Sequence, residues 1–303
     1  MKVLITGAAG FVGHYLAQEL SRAGWEVIAG DISFPTPVRE AAQNLELDIL
    51  DRSKLKQTLS RHSPDACVHL AGKTFAPAGE QAPADMFNVN VTGTLNLLET
   101  LLENKTKTRL LTVSSAHVYG NGEPGRIIDE SAPHKPGTMY AISKSSADIA
   151  SLIFARHHGL DVIVARPNNH TGPKQPDCFV VPAIARQIKK MAEDGSGQPL
   201  YIGNPESSRD FLDVRDVVKA YRLLLEKGKG CNAYNIASGN QITIGSLVEN
   251  ICAQANTKPE IKIDPQKFRP TDHSPFLDTT RLKEDTGWSP GIPLDQTIRD
   301  ILA

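Results

Sequence analysis

The sequence has no long apolar run, no excess of charge and few cysteines, and each absence removes a class of function. No stretch approaches the ~18 apolar residues of a transmembrane helix. Net charge is −1, so there is no electrostatic footprint for nucleic acid or an anionic membrane. The cysteines, Cys67, Cys178, Cys231 and Cys252, are scattered without a CxxC and read as reduced thiols, mostly in the core, in a cytoplasmic protein. The histidines contain no HxxxH pair, and His157-His158 near a helix end reads as a cap or a solvated pair, so no metal site is expected. There is no GxSxG to suggest a hydrolase, no internal repeat and no low-complexity linker. The start, Met1-Lys2-Val3-Leu4-Ile5, enters a strand at once, which leaves no room for a signal peptide.

What is present is an ordinary globular composition, 40% apolar and 22% charged, over 303 residues, enough for one large or two modest domains. Short apolar runs alternate with helical patterns. Val3-Leu4-Ile5, Glu26-Val27-Ile28-Ala29, Cys67-Val68-His69-Leu70, Leu110-Leu111-Thr112-Val113 and Val162-Ile163-Val164-Ala165 read as buried strands. Helices are expected from Phe11 to Ala23, with Gly24 as C-cap, from Thr94 to Leu102 and from Tyr140 to His157. The alternation predicts an α/β fold, a doubly wound parallel sheet of Rossmann type. After Arg166-Pro167 the texture becomes richer in Pro and Gly, as at Gly172-Pro173, Gly195-Ser196-Gly197 and Gly203-Asn204-Pro205. Residues 1–166 are therefore read as the dinucleotide domain and 167–303 as a smaller mixed α/β substrate domain. A helix from Asp213 to Glu226 and a strand at Ala233-Tyr234-Asn235-Ile236 are candidates to return to the first domain, around 211–238.

Gly7-Ala8-Ala9-Gly10-Phe11-Val12-Gly13 lies between the first strand and the first helix. In that setting GxxGxxG lets a pyrophosphate approach the backbone and meet the free N–H groups of the helix end. Asp31 follows at about the ~20-residue spacing at which a carboxylate accepts the ribose hydroxyls and repels a 2′-phosphate. No Arg follows in Ile32-Ser33, so NAD(H) is favoured, with NADP(H) as the alternative. Asp48-Ile49 is placed beside the adenine, and Leu70-Ala71-Gly72 where small residues let the cofactor pass. Asn90 precedes a helix and is either its N-terminal cap or a structural residue near the cofactor.

Tyr140 and Lys144 are four apart on a helix and share one face. An ammonium beside a phenol favours the phenolate, so Lys144 is expected to lower the Tyr140 pKa. Ser114-Ser115 ends an apolar strand at the sheet edge where ligands bind. The three parts in order predict hydride transfer at a carbon bearing an oxygen, with Tyr140 moving the proton, Ser115 orienting the oxygen and Lys144 holding the ribose. Ser114 and Ser115 are also placed against the substrate.

On the glycine turn, Asp31, Asn90-Val91-Thr92-Gly93-Thr94, Ser115-Ala116-His117-Val118-Tyr119-Gly120 and Tyr140-Ala141-Ile142-Ser143-Lys144, the chain resembles the extended short-chain dehydrogenase/reductase (NAD-dependent epimerase/dehydratase) family over nearly its whole length. The second-half motifs, Arg166-Pro167-Asn168-Asn169-His170-Thr171-Gly172-Pro173, Arg209-Asp210-Phe211-Leu212-Asp213-Val214-Arg215-Asp216 and Arg269-Pro270-Thr271-Asp272, look most like those of GDP-6-deoxy-D-mannose reductases. The resemblance implies a nucleotide-sugar substrate reduced at a 4-keto group. It also implies that Asn169, Arg209 and Arg269 hold the diphosphate, that Phe179, Val180 and Arg186 lie near the base, and that the protein is a homodimer pairing the helices near Thr92 to Leu102 and Tyr140 to His157. Lys73 either reaches the substrate or is solvated. Two departures stand out: Ala116-His117 replaces the acidic residues usual after the catalytic Ser, which counts against a 4,6-dehydratase, and Asp31 points to NAD. The Ser-Ala-His-Val-Tyr-Gly wording is closer to the 4-epimerases, which leaves a nucleotide-sugar 4-epimerase as the alternative. A non-catalytic dinucleotide sensor is the reading from another class.

Overall fold

The apolar runs become strands because both of their faces are covered. β1 (Lys2–Thr6), β2 (Glu26–Asp31), β3 (Gln43–Glu46), β4 (Ala66–His69), β5 (Arg109–Val113), β7 (Val162–Pro167) and β11 (Asn232–Ile236) form one sheet of seven strands in the order β11-β7-β5-β4-β1-β2-β3. Every pairing in it is parallel. The computed structural model describes all residues except 75–80, 106, 124, 195–197 and 270–272, and the side chain of Asp194. Gly195-Ser196-Gly197 and the Pro270-Thr271-Asp272 end of the last motif thus lie outside the described residues.

Strand alternation decides which helix each side chain meets. Leu111, with Val3, Ile5 and Ile163, packs against α1 (Phe11–Arg22), α7 (Val214–Lys227) and α9 (Thr280–Thr286) through Leu16, Leu20, Val217, Leu224 and Leu282. Its neighbour Leu110, with Leu4, Ile28, Cys67 and Val162, packs the other way. There it meets α2 (Arg52–His62), α4 (Gly93–Glu103) and α5 (Met139–His158) through Leu55, Leu59, Leu97, Leu98, Leu101 and Ala155. Ala23 caps α1, and Gly24 takes the left-handed turn after it, at φ +81°. The chain winds from β1 to β2 and β3 in one direction and from β4 to β5, β7 and β11 in the other. The reversal between β1 and β4 opens a crevice at the C-terminal ends of those strands.

The second half is built on smaller sheets: β8 (Asn169–Thr171), β10 (Ser208–Asp213) and β12 (Gln241–Thr243) form one, and β9 (Leu200–Ile202) with β13 (Ile261–Ile263) and β6 (Ile127–Ile128) with β14 (Phe276–Leu277) form two pairs. A separate apolar cluster binds α6 (Val180–Asp194), α8 (Ile244–Gln254) and α10 (Leu294–Leu302) through Ile188, Leu247, Ile251 and Ile298. β11 leaves this half and pairs with β7. Cys67 and Cys252 are buried and Cys178 is exposed; burial pushes the Cys67 thiol up to about 12, which makes it inert. Among the described residues no helix is long and apolar enough to cross a membrane.

Helix α5 is held close to the sheet by small residues and a buried ion pair. Its inner face carries Ala141, Ser143, Ala147, Ser151 and Ala155, all buried, and Thr138 caps it by accepting the Ala141 N–H. Arg166 on β7 donates from Nε and Nη2 to both oxygens of Asp148 on α5, at 2.8 and 2.9 Å, with both side chains almost wholly buried. A second polar chain braces the other side of the crevice. The His69 ring bonds the Thr6 hydroxyl (2.7 Å) and the Thr94 hydroxyl (3.1 Å), and Thr94 in turn donates to the Asn90 carbonyl. Asn90 lies in a wide turn of π type, Asn88–Thr92, between α3 (Pro83–Phe87) and α4, so it is not an N-terminal cap.

Removing one partner of a buried ion pair leaves the other charge stranded. Arg166→Met is expected to lower stability by about 3–5 kcal/mol, read by urea denaturation; a loss below about 1 kcal/mol would mean that the pair is not holding α5. Burial, and secondarily the Lys144 charge, push His69 from its ordinary 6.5 down to about 3. A folded pKa below the unfolded one means that only the unfolded chain takes up the proton in this window. Stability should therefore be full above about pH 6.5 and fall by at most about 1.4 kcal/mol per pH unit toward pH 3. His69→Gln should flatten that slope when denaturation is repeated from pH 7.5 to 4.5; an unchanged slope would assign the acid sensitivity elsewhere.

Candidate active site

The crevice is a cleft of about 640 Å³ lined from both halves of the chain. Its walls follow the strand ends: Gly7 after β1, Asp31 at the end of β2, Leu70 after β4, Ser114 after β5 and Asn168 after β7. Gly10, Phe11, Val12 and Gly13 line it beside Gly7, and Ile32, Asp48, Ile49, Ala71 and Gly72 continue the wall.

The glycine turn is shaped by close packing. Gly7 has φ +74°, and a Cβ there would sit 2.5 Å from the Ala71 nitrogen; one on Gly13 would sit 2.3 Å from the Ala8 carbonyl oxygen. Only glycine lets the turn after β1 come this close to the segment that follows β4, and the first turn of α1 this close to Ala8, and this packing leaves the helix N-terminus facing the cleft. Asp31 does more than close β2. Its carboxylate accepts the Ala9 N–H at 2.9 Å and the Ile32 N–H at 2.7 Å, so it cross-braces the turn while keeping acceptor capacity toward the cleft. Asp48 accepts the Leu50 N–H at 2.9 Å and fixes the next loop. This cradle suits a dinucleotide: backbone donors at a helix end for the phosphates, and a fixed carboxylate for the ribose hydroxyls.

Asn90 is behind the cleft wall. Its side chain accepts the Lys73 N–H at 2.7 Å and donates to the Lys73 carbonyl at 3.0 Å and to Ser143 Oγ at 2.9 Å. It thus reads both backbone groups of Lys73 and ties that loop to α5. Of the cofactor-side residues expected from the sequence, Asn90 is the one among the described residues that the cleft lining omits.

Ser115, Tyr140 and Lys144 meet at the β5–β7 end of the cleft. Ser115 Oγ accepts the His117 N–H at 3.2 Å, which starts a short 3₁₀ turn, Ala116–Tyr119. Burial pushes the Tyr140 phenol above its usual range, and a hydrogen bond from Ser115 is the opposing influence, favouring the phenolate. The expected lowering by Lys144 does not appear. Lys144 Nζ donates instead to the Val113 carbonyl at 2.9 Å, and burial drops its own pKa to about 8. The physical reason is desolvation: one wall buries both groups, and burial disfavours a charge on either. Ser114 Oγ, also buried on the cleft, has no hydrogen-bond partner among the described residues.

The second half supplies Asn169, Phe179 and Val180 to the cleft, and the first half Lys73. Asn169 Nδ2 donates to Ser274 Oγ (2.6 Å) and Asn168 Oδ1 (3.1 Å). Lys73 pairs with Asp85. Arg186 lies elsewhere, paired with Asp177 in an adjoining depression of about 300 Å³ that also holds Lys174, Lys189 and Lys190. The cleft lining includes neither Arg209 nor Arg269 among the described residues. Arg209 donates to the Ser208 carbonyl and Arg269 to the carbonyls of Gln266 and Phe268. The carboxylates of the same motif are structural: Asp210 accepts the Ser238 and Gly239 N–H groups, Asp213 caps α7, and Asp216 accepts the Gly291 and Ile292 N–H groups. His170, Gln175 and Tyr221 line the cleft without having been expected there. Tyr221 occupies an apolar-periodic position of α7 and so reads as core in the sequence.

The family model for GDP-mannose 4,6 dehydratase matches residues 4–301. The chain is 36% identical over 307 residues to GDP-6-deoxy-D-mannose reductase of Pseudomonas aeruginosa, covering all of this chain and 96% of that protein. It is 29% identical to a dTDP-glucose 4,6-dehydratase of Xanthomonas campestris, over 97% of this chain and 90% of that one. Among solved structures it superposes on RMD from Pseudomonas aeruginosa complexed with NADPH, with TM-score 0.87 and 35% identity over 99% of this chain and 97% of that one. It superposes likewise on the Thermus thermophilus UDP-glucose 4-epimerase complex with NAD, with TM-score 0.89 and 26% identity over 100% and 98%. With the glycine turn, the Ser115–Tyr140–Lys144 constellation and the parallel sheet in their places, the chain belongs to the GDP-mannose 4,6-dehydratase family of the extended short-chain dehydrogenases/reductases.

Proposed function

We propose that the protein is a nucleotide-sugar 4-ketoreductase that moves hydride between NAD(P)H and C4 of an NDP-4-keto-6-deoxyhexose, with the GDP-linked sugar favoured. The observation that carries this reading is the meeting of Tyr140, Ser115 and Lys144 at one end of a dinucleotide cleft, in a chain so similar over its full length to a GDP-6-deoxy-D-mannose reductase. The bound cofactor supplies the hydride. Tyr140 gives its proton to the C4 oxygen, and Ser115, on the same cleft beside the phenol, holds that oxygen in place. Lys144, turning from the Val113 carbonyl, holds the ribose and supports the phenolate left behind. Dehydration across C5–C6 would need an acid/base pair beside the triad, and this chain has Ala116 and His117 there, the His117 ring edge-on to Tyr140 at 6.1 Å between centroids. Lys73, Ser114, Ser115, Asn169, Phe179 and Val180 are the substrate-side residues the cleft lining supports. Arg186, Arg209 and Arg269 would have to swing toward the diphosphate.

NAD(H) is favoured over NADP(H) because Asp31 is pinned by two backbone N–H groups and cannot turn away from a 2′-phosphate. The assignment of residues 1–166, with a return segment around 211–238, to the cofactor and of 167–303 to the nucleotide sugar is supported by β11 joining β7. A cytoplasmic location accords with the unpaired cysteines. A homodimer is supported by the exposed stripe Ile142, Ile149 and Ile153 on α5. Leu97, Leu98 and Leu101 do not contribute to it, because they are spent on the protein's own sheet. The 4-epimerase remains the second reading, favoured by the Ser115-Ala116-His117-Val118-Tyr119-Gly120 wording.

Purified protein with GDP-4-keto-6-deoxymannose should consume NADH stoichiometrically, faster than NADPH, and Tyr140→Phe should lose about 10²–10⁴ of the rate. Conversion of UDP-galactose to UDP-glucose without net NADH loss would replace the reductase by the epimerase. Light scattering should give a dimer mass at micromolar concentration, shifted to monomer by Ile149→Glu; a wild-type monomer would end the dimer reading.

A further inference from the structure

The cleft holds a second phenol that the reaction above does not use. Tyr221 is fully buried, at 0% exposure, and its hydroxyl has no hydrogen-bond partner among the described residues. It nevertheless lines the cleft, as do Val113, Ser114 and Pro167. A buried hydroxyl without a partner is destabilising, and a protein that keeps one in the wall of a cleft keeps a bond to make there.

Position decides which ligand would make it. Tyr221 hangs from α7, which packs with α1 on one face of the sheet, whereas Tyr140 and Lys144 hang from α5 on the other. The glycine turn and the N-terminus of α1 belong to the Tyr221 face. A dinucleotide with its phosphates at that turn and its adenosine ribose at Asp31 must carry its other half across β4, β5 and β7, between the two phenols. Side chains tilt toward the N-terminus of their helix, and α7 begins just after β10, whose C-terminal residues pair in parallel with β8 at the cleft side of the molecule. The second half lines the cleft with Phe179 and Asn169, the side proposed for the substrate. The part of the ligand within reach of Tyr221 is therefore the nicotinamide ring, whose carboxamide is a planar acceptor and donor. Burial, and secondarily the neighbouring Tyr140 phenol, push the Tyr221 pKa up, so it stays a neutral donor.

We propose that Tyr221 is a cofactor-binding residue whose hydroxyl donates a hydrogen bond to the carboxamide oxygen of the bound nicotinamide. The inference rests on the dinucleotide reading of the cleft. It makes an unusual double demand on Tyr221→Phe. The free protein should melt at the same temperature or higher, because an unsatisfied buried hydroxyl has been removed. Affinity for NADH should fall by about tenfold while affinity for ADP-ribose, which lacks the nicotinamide, is kept within about twofold. Calorimetric titration of the wild type and the variant with both ligands, beside thermal melts, reads all of this. Equal NADH affinities, or equal losses for NADH and ADP-ribose, would overturn the assignment to the carboxamide, and a lower melting temperature would make Tyr221 a structural residue. A wild type that binds neither ligand would overturn the dinucleotide reading as well, so the two failures are told apart by the wild-type titration alone.

Discussion

The Arg166–Asp148 pair is the joint on which the active end of the molecule depends. Both charges lie out of water, so the pair gains little net stability over a well-packed apolar pair of the same volume. What it adds is direction. A guanidinium fork on a carboxylate tolerates little slip, so α5 is set against β7 in one rotation and one height. The remaining Arg166 nitrogen donates to the Tyr119 hydroxyl and the Glu130 carbonyl, and its guanidinium lies 5.3 Å from the centroid of the Tyr119 ring. Tyr119 passes the connection to Asn235 on β11, which donates to the carbonyls of Ile128 and Asp278. One buried cation thereby fixes the helix that carries Tyr140 and Lys144, the turn that follows Ser115, and the segment that leads into the second half. The three groups proposed as catalytic come from two segments, Ser115 after β5 and Tyr140 with Lys144 on α5, and this network is why they arrive together.

The cofactor side is braced by the same device in neutral form: short polar side chains that read backbone groups. Asp31 holds Ala9, Asn90 holds both backbone groups of Lys73, and Thr6, His69 and Thr94 connect β1 and β4 to the Asn90 carbonyl. The π-type turn at Asn88–Thr92 has a consequence here. Inserting a residue into the helical repeat turns the Asn90 side chain inward, toward Lys73 and Ser143, at a position that a regular helix would present differently. The burial of His69 follows from the same chain of bonds. Its two ring nitrogens both find hydroxyls, which can serve as donor or acceptor, so a neutral ring is fully satisfied and a charged one has no counter-ion.

Much of this was legible in the sequence because it depends on local pattern. The strands around Leu4, Ile28, Leu110 and Ile163 are continuous apolar runs, the signature of a sheet covered on both faces, and the glycine spacing sits where a strand turns into a helix. Tyr140 and Lys144 share a helix face by spacing, and the glycine turn and Ser114-Ser115 upstream make the pair specific. What was not legible depends on long-range packing. Gln43–Glu46 is too polar to read as a strand and becomes one because β2 offers it an edge. The alternatives for Asn90 turned on a local irregularity, the π-type turn, which spacing rules do not anticipate. The second-half motifs were recognised as motifs, yet their arginines and carboxylates could not be sorted from sequence: Asp210, Asp213, Asp216 and Arg166 proved to hold the fold, and Arg209 and Arg269 lie outside the cleft lining. A charged side chain in a motif has the same letter whether it faces a ligand or a backbone amide.

The electrostatics of Tyr140 and Lys144 carry the argument one step further. Spacing alone suggests that the ammonium should make the phenol acidic. In this structure burial dominates both groups, raising Tyr140 and lowering Lys144, while the lysine spends a hydrogen bond on the Val113 carbonyl. A reductase gains from that arrangement. A phenol kept protonated is ready to donate a proton to a ketone, and a lysine whose charge is only partly compensated has unused capacity for ribose hydroxyls. Ser114 and Tyr221 also line the cleft, with hydroxyls that have no hydrogen-bond partner among the described residues. The cleft is therefore a surface of incompletely satisfied polar groups at the hydride-transfer end, set against a fully satisfied network around Arg166 behind it. Rigidity belongs to the second and ligand affinity to the first, because binding energy is largest where the free protein has left hydrogen bonds unmade.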